Sequence, residues 1–217
     1  MSPIPVGHAR REVLAWAQRL ESAGLGVGTS GNISARTASG LLVTPTARRY
    51  EGLTAADLVE IDLSGRVLSG DSTPSTEWPF HASIYRHRPD VDSVVHAHSP
   101  YATALACNRV EIPPFHYMVA ISGGATIRCA GYAKPGSEEL AALATEALEG
   151  RRACLLANHG LIALGSSVRS AFDLALEVEN LARQYSLALQ VGEPVLLSGA
   201  QMDEILAHFE TYKAGSW

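Results

Sequence analysis

Two histidines two residues apart, His96 and His98, close the run Val91-Asp92-Ser93-Val94-Val95-His96-Ala97-His98. Along an extended strand the side chains at i and i+2 project from one face, so both imidazoles can converge on a single ion without backbone strain. A third imidazole, His159, ends a second apolar run that starts at Ala153, and Gly160 after it permits close backbone approach. Three imidazoles with a fourth position open form the donor set of a catalytic zinc site. The plainer alternative is that each histidine makes only a hydrogen bond at its strand end. Glu77 lies in Pro74-Ser75-Thr76-Glu77-Trp78, where Ser75 or Thr76 is placed to cap a helix and the glutamate to fall in its first turn. Either it serves that helix end, or it stands beside the metal as a fourth ligand that swings away to act as a base, with burial raising its pKa towards neutrality.

Two further segments offer donors to an anion. Gly28-Thr29-Ser30-Gly31-Asn32 and Ser75-Thr76 bring hydroxyls, an amide and glycine-exposed backbone N–H groups, the second set at a helix N-terminus whose dipole favours phosphate. Neither matches a Walker loop or a dinucleotide fingerprint, and a Gly/Ser turn is also ordinary loop chemistry.

The elements that must carry these groups follow from periodicity. Val13, Leu14, Trp16, Ala17 and Leu20 recur at helical spacing over 8–23, with Gly24 as a stop. Short strands over 32–36 and 41–45 flank the turn Thr37-Ala38-Ser39-Gly40, and runs at 58–62 and 66–68 flank a second hairpin. A helix over 76–88 leads into the His96 strand, helices over 100–107 and 137–149 follow, and a strand over 153–163 carries His159. Helices over 167–190 and 199–212 close the chain. Hairpins between helices predict a three-layer α/β/α fold with a central mixed, largely antiparallel sheet. No linker or low-complexity stretch divides the 217 residues, so one domain over 1–217 is expected.

Bulk composition narrows the function. With 47% apolar residues the chain can bury a sizeable core, and a net charge of −5 without a basic patch argues against a nucleic-acid partner. No apolar run approaches the roughly 20 residues needed to span a bilayer, and no signal-peptide stretch is visible, so no membrane partner and a cytoplasmic location are expected. The three cysteines, Cys107, Cys129 and Cys154, are widely spaced in apolar contexts and read as reduced core residues.

The ordered set Gly28-Thr29-Ser30-Gly31-Asn32-Ile33-Ser34, Thr44-Pro45-Thr46, Pro74-Ser75-Thr76-Glu77-Trp78, His96-Ala97-His98, Phe115-His116-Tyr117-Met118 and Asn158-His159-Gly160 closely resembles the class II aldolase and ribulose-phosphate 4-epimerase superfamily, in its fuculose-phosphate aldolase branch. The resemblance spans nearly the whole chain. It implies one Zn2+ per subunit on His96, His98 and His159, with Glu77 as fourth ligand in the empty site and as proton-transfer group in turnover; Co2+ or Mn2+ can replace zinc on imidazole ligands. It implies a substrate phosphate among Gly31, Asn32, Thr46, Ala47, Ser75 and Thr76. The implied reaction is cleavage of a ketose 1-phosphate, such as L-fuculose 1-phosphate, to dihydroxyacetone phosphate and a small aldehyde such as lactaldehyde. Tyr117, from a neighbouring subunit of a fourfold homotetramer, would serve as acid towards the aldehyde oxygen, and Tyr212 would close over the aldehyde. Same-fold alternatives are an epimerase, a methylthioribulose-1-phosphate dehydratase and a keto-acid phosphate decarboxylase; the adducin head domain shares the fold without the metal ligands. The chain departs from the pattern at Ala47, where the family has glycine before Arg48-Arg49, and at Pro135, beside Lys134, where the family has a bulky aromatic.

Overall fold

Short runs, most of them buried on both faces, build one eight-stranded sheet. Its strands are β1 (Asn32–Arg36), β2 (Leu41–Val43), β3 (Val59–Ile61), β4 (Val67–Ser69), β5 (Ser93–Ala97), β6 (Cys129–Ala130), β7 (Ala153–Leu156) and β8 (Gly160–Gly165), in spatial order β4-β3-β2-β1-β5-β8-β7-β6. Neighbours pair antiparallel except β6 with β7, which run parallel. The helices are α1 (Val6–Ala17), α2 (Trp78–His87), α3 (Pro100–Cys107), α4 (Glu138–Ala147), α5 (Val168–Val191) and α6 (Gly199–Lys213). The computed structural model describes residues 5–213, with side chains described through Phe209. Among the described residues no helix is long and apolar enough to cross a membrane.

The period of two sorts the strand residues into two cores. Val95 and Ala97 of β5, with Ile33 and Ala35 of β1 and Leu161 and Ala163 of β8, face a core shared with α1, α3 and α5. Val94, Ile162, Leu156 and Leu41 face the other, shared with α2 and α4. The architecture is thus the expected α/β/α sandwich around a mixed, largely antiparallel sheet. His96 falls on the Val94 side, where its ring meets Phe80 of α2 edge-on at 5.3 Å.

Several boundaries differ from expectation for local reasons. The strand expected over 153–163 is two strands joined by a tight turn at 157–159, with Asn158 in the left-handed region (φ 56°), a conformation asparagine tolerates. His159 therefore sits in a hairpin turn between β7 and β8. The first helix stops at Ala17, and turns continue to Gly24. The helix expected over 76–88 begins at Trp78 with Pro79 in its first turn, so Glu77 is its N-cap residue. Neither Ser75 nor Thr76 caps it; Ser75 Oγ instead accepts from the Glu77 N–H at 3.3 Å. Cys107 is exposed and Cys129 half-buried, so only Cys154 is the core residue expected of all three. The β6 strand and three 3-10 turns, at Tyr50–Gly52, Ala55–Asp57 and Tyr117–Ser122, went unpredicted because none carries a repeating apolar pattern long enough to read.

The core beneath β5 and β8 rests on α5, whose Phe172 is fully buried and tilts against Trp16 of α1 at 4.9 Å. Phe172→Ala should lower the unfolding free energy by about 3–5 kcal/mol, by lost burial and the cavity left behind. A shift in denaturation midpoint at unchanged m-value is the expected reading.

Candidate active site

Four side chains from three parts of the chain meet at one end of the sheet. His96 comes from β5, His98 from the residue after it ends, His159 from the β7–β8 turn, and Glu77 from the start of α2. One donor atom from each lies within 4.8 Å of all the others. His96 Nε2 stands 2.9 Å from His98 Nε2 and 3.2 Å from Glu77 Oε2, and His159 Nε2 stands 3.1 Å from Glu77 Oε1. Donors about 2.0–2.1 Å from a tetrahedral zinc are about 3.3 Å apart, so the spacing fits such an ion.

The tautomers and charges fit as well. His96 Nδ1–H donates to the Leu161 carbonyl at 2.9 Å, which leaves the Nε2 lone pair turned to the cluster. Glu77 Oε1 is buried and accepts no hydrogen bond despite its nearness to His159, as befits two lone-pair donors aimed at a common cation. Burial works to raise the Glu77 carboxyl, but the neighbouring His96 and His159 imidazoles prevail and hold it well below the usual carboxylate range. Burial, with His96 and His159 adding to it, pushes the His98 imidazole down to about 3. A neutral imidazole and an ionised carboxylate are the forms that bind a metal. The cluster can therefore hold a divalent ion.

Two glycines make this convergence possible. A Cβ on Gly160 would stand 2.3 Å from the Ala97 carbonyl oxygen, and one on Gly31 would stand 2.8 Å from that of His96. Backbone cannot rotate out of such contacts, so both neighbours of the His96 strand need glycine where they meet it.

The expected anion-binding residues also gather. A bridge between Pro45 and Pro74 zips two segments together, with Thr46 N–H donating to Thr73 O and Ser75 N–H to Thr44 O, both at 3.0 Å. Ile33 N–H donates to Thr44 Oγ1, and the Tyr50 hydroxyl holds the Gly31 carbonyl at 2.6 Å. Thr44 and Ser75 are buried, whereas Ala47 and Thr76 are exposed. Ala47 takes φ 52°, the left-handed region that glycine adopts freely and alanine adopts under strain. Arg48 beside it pairs with Asp57 at 3.4 Å. Gly136 packs on the Thr76 carbonyl, setting the exposed Lys134-Pro135 corner against the same segment.

Of the two tyrosines expected at the aldehyde, only Tyr117 has a described side chain. Tyr117 opens a 3-10 turn, is 49% exposed, and lies with its ring 4.8 Å from that of His116. Tyr212 lies outside the described side chains. The sequence reading missed a buried polar file behind Glu77. Asn32 Nδ2 donates to Glu77 Oε2 at 2.9 Å, Asn32 Oδ1 meets His81 Nε2 at 2.5 Å, and Ser34 Oγ meets His81 Nδ1 at 2.7 Å and the Tyr85 hydroxyl at 2.8 Å. Its spacing was visible: Ser34 is two residues from Asn32 on a strand, and Glu77, His81 and Tyr85 follow at i, i+4, i+8 on a helix.

A layered fold with three imidazoles and a carboxylate converging at a sheet end can hold a divalent metal for enzyme chemistry, and comparison with known proteins specifies the class. The family model described as class II aldolase and adducin N-terminal domain matches residues 11–186. The 5-methylthioribulose-1-phosphate/5-deoxyribulose-1-phosphate aldolase of Rhodospirillum rubrum is 46% identical over 203 residues, covering 94% of this chain and 91% of that protein. The L-fuculose phosphate aldolase of Escherichia coli K12 is 41% identical, covering 93% and 94%. A solved L-fuculose 1-phosphate aldolase superposes with a TM-score of 0.91 at 38% identity, covering 96% of this chain and 98% of that one. The chain belongs to the class II aldolase family, and it is an aldolase.

His96→Ala and His159→Ala should each lose bound metal while staying folded, since each removes one of three imidazoles. Metal analysis of dialysed protein measures this; a variant with full metal content would remove that histidine from the ligand set.

Proposed function

We propose that this chain is a zinc-dependent aldolase that cleaves a ketose 1-phosphate to dihydroxyacetone phosphate and a small aldehyde, with 5-deoxyribulose and methylthioribulose 1-phosphates ahead of fuculose 1-phosphate. The observation that carries the reaction class is the convergence of Glu77, His96, His98 and His159. The substrate order rests on identity at equal coverage, 46% to the 5-deoxy- and methylthio-pentulose aldolase against 41% to the fuculose enzyme. Retro-aldol cleavage of a 5-deoxypentulose releases a two-carbon aldehyde; fuculose releases lactaldehyde.

Held by His96, His98 and His159, zinc would supply Lewis-acid stabilisation of the charge left on the three-carbon fragment when the C3–C4 bond breaks. The chain's own residues do the rest. In the synthetic direction Glu77, ionised at rest, takes the proton from C3; in cleavage the same carboxyl first takes up a proton and then gives it to C3. Gly31, Asn32, Thr46, Ala47, Ser75 and Thr76 form the phosphate cradle, drawn together by the Pro45–Pro74 bridge. Tyr117 carries the proton of the aldehyde oxygen in a neighbouring subunit of a homotetramer; its exposure, away from its own chain's cluster, supports that role. Tyr212 closes the site over the aldehyde, and the single domain 1–217 is the catalytic unit.

Zinc-loaded protein should release dihydroxyacetone phosphate from 5-deoxyribulose 1-phosphate with a higher kcat/KM than from fuculose 1-phosphate. Release from fuculose 1-phosphate alone would reverse the substrate order, and release from neither would end this reading. Glu77→Gln should keep fold and zinc yet slow hydrogen exchange at C3 of dihydroxyacetone phosphate by about 10²–10⁴-fold, the usual worth of a positioned base.

A further inference from the structure

The buried file behind Glu77 has one consistent direction. Asn32 presents its NH2 to Glu77 Oε2 at 2.9 Å, which turns its carbonyl to His81. That carbonyl needs a donor, which puts a hydrogen on His81 Nε2. His81 is fully buried, and burial pushes its imidazole down to about 3, so the ring carries one hydrogen and Nδ1 must accept from Ser34. With its hydrogen spent on His81, Ser34 Oγ accepts from the Tyr85 hydroxyl. Donation thus runs Tyr85 → Ser34 → His81 → Asn32 → Glu77. Reversing any link sets two acceptors face to face in a region where Asn32, Ser34, His81 and Tyr85 are each at most 3% exposed. The file ends on Oε2, whereas Oε1 accepts no hydrogen bond.

We propose that His81 is a positioning residue: acting through Asn32, it pins Oε2 of Glu77 and so assigns Oε1 as the oxygen that exchanges the C3 proton. The inference rests on the reading of Glu77 as the proton-transfer group. In the step, the C3–H bond of dihydroxyacetone phosphate breaks, the proton goes to Oε1 and the electron pair stays on the three-carbon fragment. A carboxylate free to turn about its last bond would present either oxygen. One tied at Oε2 offers a single oxygen in a fixed orientation, which is the geometric requirement of general base catalysis. The imidazole also supplies the donor that fixes which way Asn32 faces.

Two substitutions separate positioning from mere filling. The amide nitrogen of glutamine reaches where Nε2 of histidine sits, so His81→Gln restores a donor to Asn32. Asparagine reaches only the Nδ1 position, so His81→Asn can satisfy Ser34 but leaves the Asn32 carbonyl without its donor. In zinc-loaded protein, kcat and the rate of C3 deuterium exchange into dihydroxyacetone phosphate should both be about tenfold higher for His81→Gln than for His81→Asn, with KM and zinc content alike in the two, the scale on which groups behind a ligand act. Equal rates, or a difference that follows zinc content, would overturn the proposal. Independently of turnover, the long-range ¹H–¹⁵N spectrum of the metal-free protein, with the His81 signal assigned by its loss in His81→Gln, should show a neutral ring protonated on Nε2. A ring protonated on Nδ1 would also overturn it. Glu77→Gln, run alongside, keeps the two readings apart: exchange surviving there removes Glu77 itself, while exchange lost there but equal in the His81 pair removes only His81.

Discussion

The register of β5 between β1 and β8 is the constraint on which this site hangs. His96 lies opposite Asn32 on one side and Ile162 on the other, and its Nδ1 is tied to Leu161 across the strand. That single register sets which His96 nitrogen faces the cluster, brings Asn32 up to Glu77, and puts the His159 turn within reach of His98. A slip of one residue would send every side chain of β5 to the opposite face and place His96 in the apolar core beside α5. The glycines at 31 and 160 follow from the same constraint, because only a residue without Cβ lets both flanking chains close on the β5 carbonyls.

Clustering three imidazoles and a carboxylate away from water has a desolvation cost that a purely apolar sheet end would avoid. The cost is offset locally. Glu77 Oε2 takes a donor from Asn32 and the file behind it, while Oε1 faces His159 without accepting a hydrogen bond. Helix α2 takes part in this as more than a cover. Pro79 ends the need for one backbone donor in its first turn, and the next turns send His81 and Tyr85 into the sheet at helical spacing.

The convergence of His96 and His98 was legible in the sequence because strand alternation makes a His-x-His pair point one way. The α/β/α class followed from the order of hairpins and helices. What escaped notice did so for physical reasons. The β7–β8 turn hid inside a continuous apolar run because both strands are buried on two faces, which erases alternation. Strand β6 is two residues long, below any pattern's reach. The polar file was overlooked since Asn32, Ser34, His81 and Tyr85 come from two segments whose contact depends on the sheet register, and no periodicity records a contact between segments. Glu77 was placed in the first turn of a helix starting at 76, but with Pro79 in its first turn the helix starts two residues later, at Trp78, and leaves Glu77 the N-cap.

The left-handed Ala47 bears on how the chain reaches its native form. An alanine there costs about 1 kcal/mol relative to a relaxed backbone, which the surrounding turn must supply. The same methyl group also removes conformations that a glycine would sample in the unfolded chain. The two effects oppose each other, so the corner is strained once folded yet cheaper to order. A corner of that kind is held by its surroundings, the Pro45–Pro74 bridge before it and the Arg48–Asp57 pair after it, against its own backbone preference.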